Sequence, residues 1–425
     1  MKLLFNIDVI DESLCLLIEA LQPEALFSNE RRAPTKVTQE KRALGFKSLI
    51  AELLLNNLEQ IEPSYHQMSK SAFTDHLFGY DIFKKVVDVC NAEGLIHIAV
   101  GKRADGESVA TTFRLSEYAL SYFDGWIKST QGDLSKAFNV MKPSLPLVRA
   151  KYRRPAKVKG VKRPAKEVPL KVLLKRQDVK DQWRSLELLN HYYSKHELLG
   201  IRFCGLQRIY SNFNQSDPLV GGRLYAIGGS YQTLRSVQRK ALKIDGEAVC
   251  ELDVKSSHLV LYAFVKAATS EKPNILTEPA SPYLSDPYSF ENIPRPVVKA
   301  MITLLIGSSG KSRTWTPDQK VTLLEKEGID LAQFEFKSTK ARVLERYSFL
   351  ERADGQDIDW AFLQVREADT MYSAIRRLAY EFDIPAYPVH DSIIVKQSNR
   401  TVAQTVLLQS FSSIIGYEPA VECSD

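Results

Sequence analysis

Absences narrow the reading of this 425-residue chain before any motif does. Its cysteines, Cys15, Cys90, Cys204, Cys250 and Cys423, are scattered singly and form no CxxC pair. That excludes a zinc module and a disulfide framework, and it fits a reducing cytoplasm. No apolar run approaches the roughly 20 residues that span a bilayer. Acids interrupt the N-terminal "MKLLFNIDVIDESL" where a secretory signal would continue its apolar core, so no export signal is read. A cytoplasmic protein with no membrane partner is expected. No GxGxxG stands at a strand-to-helix turn and no GxxxxGK[ST] occurs, which leaves the Rossmann and P-loop readings without support. "GSSGKS" (Gly307 to Ser312) lacks the P-loop spacing and reads as a loop.

What remains is an ordinary globular composition, 44% apolar and 25% charged, in a chain long enough for two or three domains. The net charge of +6 is unevenly placed. "RAKYRRPAKVKGVKRPAKEVPLKVLLKR" (Arg149 to Arg176) holds twelve Lys or Arg and one acid, Glu167, which leaves the rest of the chain net acidic. Pro155, Pro164 and Pro169 argue against a helix there, so residues 141–178 are expected to form an extended basic linker. Arg149, Lys151, Arg153, Arg154, Lys157, Lys159, Lys162 and Arg163 are its candidate tether for nucleic acid, bound through phosphates. A solvated spacer with no partner is the bland alternative.

Residues 1–140 look mainly helical. "GYDIFKKVVDVCNAEGLI" (Gly79 to Ile96) has helical apolar spacing and a stop at Gly94. The strand-like "IHIAVGK" and "SVATTFRLS" follow, joined by "RADGES". Helix, strand, turn, strand is the order of a winged helix, which serves either DNA or protein contact.

From about residue 179 onward strand-like and helical runs alternate. "YPVHDSIIV" (Tyr387 to Val395) places His390 and Asp391 on a tight turn between two apolar strands. Aspartate is a common turn residue, so this segment alone decides nothing. "AVCELDVKSSHLVLYAF" (Ala248 to Phe264) adds a strand ending in Asp253, followed by an apolar helix. Two strand-tip aspartates suit a pair of Mg²⁺ ions, which prefer carboxylate oxygen and complete their shells with water and phosphate. Between them "RPVVKAMITLLIG" (Arg295 to Gly307) puts Arg295 and Lys299 on one helical face, a pairing suited to a triphosphate.

Asp253, then Arg295 and Lys299, then His390–Asp391 resemble motifs A, B and C of family A DNA polymerases and the related phage-type single-subunit RNA polymerases. "GGRLYAIGGSYQ" (Gly221 to Gln232) looks like the family's T/DxxGR motif with its later glutamine. "FLQVREADTM" (Phe362 to Met371) is similar to the Q-x-x-x-A-D helix, and "DPY" (Asp286 to Tyr288) resembles the element before motif B. The resemblance covers about residues 200–400. It implies an α+β right-hand palm with an antiparallel sheet and helical fingers over residues 179–425, preceded by the helical, winged-helix-like domain.

It also implies roles. Asp253 and Asp391 would be metal ligands, with the Val254 carbonyl, for two Mg²⁺ ions or Mn²⁺ in their place. Arg295 and Lys299 would hold the incoming nucleoside triphosphate, and Lys299 would protonate the leaving pyrophosphate. Arg223, Gln232 and Gln364 would touch primer–template DNA, and His390 would steady the primer end. His258 stands where the DNA branch carries a sugar-gating Glu, Ser392 follows Asp391 as in the RNA branch, and Gly307 replaces the fingers aromatic. The expected function is a DNA-directed DNA polymerase in replication, without proofreading since no convincing D-x-E exonuclease pattern occurs. The N-terminal domain would meet other replication proteins. A single-subunit RNA polymerase or primase-polymerase, and a non-catalytic replication initiator with a polymerase-like core, are the alternatives.

Overall fold

A computed structural model of the chain describes residues 3, 7–28, 34–59, 64–66, 68, 73, 78–101, 103–104, 107–108, 110–129, 134, 137–140, 146–153, 165–214, 217–227, 231–267, 286–308, 310–351, 360–416 and 418–424. The chain forms two compact units. The first contains Met1–Leu145, Gly200–Gly205 and Ala226–Leu234; the second contains Pro146–Leu199, Leu206–Tyr225 and Arg235–Asp425. No helix among the described residues is long and apolar enough to cross a membrane.

In the first unit the order is β1 (Ile7–Val9), α1 (Glu12–Ala20), α2 (Lys36–Leu58), β2 (Ser64–His66), α3 (Tyr80–Ala92), β3 (Ile96–Ala99), β4 (Arg103–Ala104), β5 (Glu107–Ser108), β6 (Thr111–Leu115), α4 (Glu117–Ser129) and β7 (Phe138–Val140). Asp11 starts α1 by accepting the Leu14 N–H at 2.7 Å, which satisfies one of the donors every helix start leaves open. The middle of α2 is buried nearly all round, so it is the axis of this core. Gly45 lets α3 approach closely, since a Cβ there would lie 3.3 Å from Val86. The expected helix–strand–turn–strand order appears as α3, β3, the β4–β5 hairpin and β6, with β3 and β6 antiparallel. The sheet gains a third strand, β2, on the other side of β6. At three residues β2 is too short to show a pattern in sequence.

The second unit runs β8 (Val148–Tyr152), α5 (Leu170–Leu173), α6 (Gln177–Tyr193), β9 (Leu198–Leu199), β10 (Leu206–Phe213), β11 (Val220–Ala226), α7 (Ser236–Arg239), β12 (Lys243–Ile244), β13 (Glu247–Val254), α8 (Ser257–Ala267), α9 (Arg295–Gly307), α10 (Pro317–Glu327), α11 (Phe336–Arg346), α12 (Trp360–Glu381), β14 (Tyr387–Val389), β15 (Ser392–Lys396), α13 (Arg400–Ile415) and β16 (Val421–Ser424). Six strands form an antiparallel sheet ordered β14-β15-β13-β12-β9, with β16 also on β13. Helices α9, α10 and α11 enclose a separate core that includes Val297, Met301, Leu305, Trp315 and Tyr347. A third set of strands, β11-β10-β8, pairs β10 and β8 in parallel.

The basic stretch departs from the expected extended linker at both ends. Arg149 and Lys151 lie within β8, because Val148 and Ala150 alternate with them and are buried. The segment returns at Glu167, which bridges Lys151 and ion-pairs with Arg149. Pro169 stands just before α5 rather than breaking a helix, a position where a missing N–H costs nothing. Arg153 follows the strand in irregular backbone. Arg154, Lys157, Lys159, Lys162 and Arg163 lie outside the described residues.

One buried cation organises the upper part of this unit. Arg208 on β10 is 0% exposed. Its Nε donates to the Gly222 carbonyl at 2.7 Å, Nη1 donates to Gln182 Oε1 at 2.9 Å, and Nη2 pairs with Asp369 on α12. Tyr210 and Tyr372 flank the guanidinium at 5.1 and 5.5 Å. Such a charge is tolerated inside only because its donors are satisfied. Gly222 makes the packing feasible: its φ is +67°, and a Cβ there would fall 2.6 Å from Tyr210 Cε1.

Gly222→Ala is therefore expected to destabilise by at least about 2 kcal/mol, the left-handed backbone penalty plus a clash. Gly246→Ala shares a positive φ, +81°, but points into open space, so urea unfolding should show the smaller loss there. Equal losses would mean that packing around Arg208 contributes nothing.

Candidate active site

The register of β13 against β15 builds the site. Val249↔Lys396 through Asp253↔Ser392 are paired antiparallel, so the last residues of β13 meet the first residues of β15. The β14–β15 hairpin closes through His390 and Asp391 alone. His390 takes a φ of +57°, the left-handed backbone that tight two-residue hairpins require. The Val254 N–H then donates to the Asp391 carbonyl at 3.1 Å, which fixes the turn beside the end of β13. Asp253 and Asp391 are thus brought together, as the sequence led one to expect.

Their electrostatics carry the mark of crowded anions. Asp253 retains exposed surface, yet the surrounding protein restricts its solvation and pushes its carboxyl up to about 7. The charges of Asp391, Glu251 and Glu422 add to this, and Lys299 opposes it. Asp391 is also raised, by burial first and then by the charge of Glu367. Glu251, one turn of the pleat behind Asp253, is neutralised by Arg239 (2.8 and 3.0 Å) and receives the Ser392 hydroxyl at 2.5 Å. So Ser392 orients Glu251.

Lys299 is exposed on α9, and its charge reaches Asp253. Arg295, one turn earlier, is held by Asp286 (3.1 Å) and lies 5.2 Å over the Tyr288 ring. The expected "DPY" element therefore positions Arg295. An exposed ion pair of this kind is worth only about 0–1 kcal/mol, so an incoming polyanion can take Arg295 from Asp286.

The largest surprise is Glu367, a residue the sequence reading passed over. It is 1% exposed on α12. Its Oε2 accepts from Arg223 Nε and Nη2 at 3.2 and 2.7 Å, and its Oε1 accepts the Ser257 hydroxyl at 2.7 Å. The His258 Nε2 stands 3.4 Å from Oε1, long for a hydrogen bond. Burial pushes the Glu367 carboxyl up, but His258, Arg223 and Ser257 overcome it and hold it near 2. Two of the expected site residues make their contacts here. Arg223, expected to touch primer or template, is engaged by Glu367 on one edge of its fork. His258, expected at the nucleotide sugar, turns to the buried acid. A signal was present in "QVREAD": Glu367 follows Gln364 by three residues, so both lie on the same helical face.

The remaining expected residues separate. His390 is exposed, packs edge-on to Tyr225 at 6.1 Å, and is held below its usual pKa by restricted solvation and then by the Arg223 charge. It is neutral at pH 7. Gln364 is 7% exposed, with its Oε1 beside Gly221, so it packs inward against β11 instead of presenting itself to a duplex. Gln232 accepts the Ala226 N–H at 2.8 Å and belongs to the first unit. Val254 is buried at 1%. At Gly307 a side chain would meet open space.

No group of three or more His, Cys, Asp or Glu side chains among the described residues is gathered closely enough to hold an ion by itself. Two adjacent carboxylates fit Mg²⁺ nonetheless, because it commonly takes one or two protein carboxylates and fills its shell with water and substrate phosphate. The raised carboxyl of Asp253 points the same way: the site carries more negative charge than its own cations offset.

No protein-family model matches the chain, and no curated protein matches it. Among solved structures, the POL domain of Pol1 from M. smegmatis, in a complex with DNA primer-template and dNTP, is similar at 13% identity with a TM-score of 0.30. The match covers 58% of this chain and 51% of that one, so this chain spans about half its length. A TM-score this low does not establish a shared fold.

The pH dependence follows from Asp253. Without a cation the folded protein keeps this proton up to about pH 7, whereas the unfolded chain releases it near 3.8. The folded state binds the extra proton, so stability falls as pH rises from about 4 through 7. Millimolar Mg²⁺ should therefore raise the melting temperature more at pH 8 than at pH 5.5. Asp253→Asn should abolish that difference in differential scanning fluorimetry.

Proposed function

We propose that this chain is a template-directed nucleotidyltransferase that extends a DNA strand. The observation that carries the reading is the placement of Asp253 and Asp391 side by side, at the end of β13 and on the β14–β15 turn, with Lys299 in electrostatic reach. Sequence order supports it, since Asp253, Lys299 and His390–Asp391 follow one another as in the family they resemble.

Asp253 and Asp391 would hold two Mg²⁺ ions. When bound, the ions supply a more acidic attacking hydroxyl and charge compensation at the pyrophosphate. The chain's own residues do the rest. Arg295 leaves Asp286 for the triphosphate tail of the incoming nucleotide. The primer 3′-oxygen attacks the α-phosphorus as the bond to the pyrophosphate oxygen breaks, and Lys299 donates a proton to that leaving group. His390, neutral at pH 7, offers a hydrogen bond to the primer end without competing for a metal's charge. Glu367 keeps Arg223 in place, so the unused edge of that guanidinium faces the primer without a search among rotamers.

Deoxynucleotides are the proposed substrates, because the separation between Arg223 and Asp253 is closer to that of the DNA branch of the resembled family than to that of the RNA branch. With His258 turned to Glu367 and no side chain at Gly307, exclusion of a 2′-hydroxyl should be weak. Primer extension with labelled deoxy- and ribonucleotides tests both points. Wild type should extend with both sugars and favour deoxy. Asp391→Asn should lose at least about 10²-fold in rate, the scale for losing one preorganised charge-stabilising group. Strict ribonucleotide use would overturn DNA synthesis while leaving nucleotidyl transfer intact. Full activity in Asp391→Asn would overturn the two-aspartate site, and an absence of extension by wild type would overturn the enzyme reading in favour of an initiator with a polymerase-like core.

The basic stretch is proposed to add affinity for DNA without sequence preference. Lys151 and Arg153 are exposed beside it, whereas Arg149 is engaged by Glu167. Replacing Lys151, Arg153, Arg154, Lys157, Lys159 and Lys162 with Gln should flatten the slope of log affinity against log salt by several units, since each phosphate contact contributes about 0.9. An unchanged slope in fluorescence anisotropy would make the stretch a spacer.

A further inference from the structure

The strand on the other flank of Asp253 has no role in the mechanism above. β16 pairs antiparallel with β13 over Glu251↔Ser424, Leu252↔Cys423, Asp253↔Glu422 and Val254↔Val421. The Lys255 N–H continues the ladder to the Ala420 carbonyl at 2.9 Å. Directly opposed residues in an antiparallel pair project to the same face, with Cβ atoms about 4.5–5.5 Å apart. Glu422 therefore rises beside Asp253 on the side away from Asp391. It is an exposed carboxylate, 62% accessible, and among the described residues its cationic contact is with the half-exposed Lys255, at 3.4 Å. Nothing in the register or packing of β16 requires an acid at this position. A glutamate directly opposed to Asp253 adds repulsion unless a cation joins them.

We propose that Glu422 is a third carboxylate of the proposed metal site, acting on a bound divalent cation through that ion's water shell. The inference rests on the two-aspartate reading. Direct ligation is not part of it, because Asp253, Asp391 and Glu422 do not close into a three-ligand group. Mg²⁺ retains several waters when it binds protein carboxylates, and a carboxylate one water away accepts hydrogen bonds from them. Outer-shell partners of this kind typically change metal affinity by 10–100-fold. The consequence is a division of labour around β13. Ser392 on one flank is occupied with Glu251, and the further acid comes from the other flank, on a strand that the motifs do not include.

The test is Mn²⁺ binding to the full-length protein without nucleotide or DNA, followed by the electron paramagnetic resonance signal of free Mn²⁺. Glu422→Gln should raise the dissociation constant about 10-fold, and Glu422→Asp should recover part of the loss. Both variants should melt with the wild type, since the side chain is exposed. Glu418→Gln removes the same charge from a nearby exposed position and should leave binding unchanged. An unchanged constant in Glu422→Gln, while Asp253→Asn weakens binding, would overturn the role of Glu422 alone. Equal weakening by Glu418→Gln would also overturn it, as an effect of net charge. If Asp253→Asn binds Mn²⁺ as wild type does, the two-aspartate site falls, and the inference with it.

Discussion

Everything in the candidate site depends on the pairing of β13 with β15. Strand side chains alternate with a period of two, so a slip of one residue would send Asp253 to the opposite face from its neighbours. Several features guard against that slip. Leu252, Ile393 and Val395 are buried at 0% and would lose their packing. The Ser392–Glu251–Arg239 chain crosses the two strands with three polar contacts. The turn itself is two residues long and needs the left-handed backbone of His390. An error in register would break the apolar core and the polar bridge together, so the same forces that hold the sheet also aim the carboxylates.

A second layer of constraint comes from α12. This helix brings Glu367 under Arg223 and the start of α8, and brings Asp369 to Arg208. Two arginine–carboxylate pairs on one helix, each with one partner buried, are not strong stabilisers in themselves, because desolvating the buried charge offsets most of the attraction. Their effect is on uniqueness. β10, β11, α8 and α12 meet in a single arrangement, since any other leaves a buried charge without its partner. The two glycines ahead of Arg223 make this feasible. Both have positive φ, and a Cβ on either would collide with β10.

How much of this was legible in sequence varies with the physical signal. Asp253 and Asp391 could be found because each interrupts an apolar strand at its end, where a charge has no packing reason to be. The antiparallel pairing of their strands was also foreseeable. Glu367 was only half legible: its spacing from Gln364 puts both on one helical face, but nothing in "QVREAD" marks that face as buried, and an acid ordinarily reads as solvent-facing. The neighbour of His258 was hidden for the same reason: its position along α8 was readable, but the acid beside it comes from about 110 residues further on. Gln232 eluded the reading because the chain recrosses between units at residues 226–234, which no local pattern records. The ends of the basic stretch are ordered for reasons of burial at Val148 and Ala150, which its charge concealed.

The separation of β13 and β15 along the sequence also has a consequence for how the chain reaches its native state. Asp253 and its partner Ser392 are about 140 residues apart, with α9, α10 and α11 between them. Joining such distant segments costs loop-closure entropy that grows as about (3/2)RT ln n, and folds rich in long-range pairings assemble slowly. Helices α9 to α11 are contiguous in sequence and share one apolar cluster with α8 and with Leu363 of α12, so their collapse can come first and shorten the effective loop. Until β15 arrives, β13 offers an unpaired edge to solvent, in a segment as apolar as "AVCELDV". Such edges recruit other chains. The arrangement thus brings a liability during biogenesis: its most sensitive strand waits for its partner, and early collapse of the intervening helices is what shortens the wait.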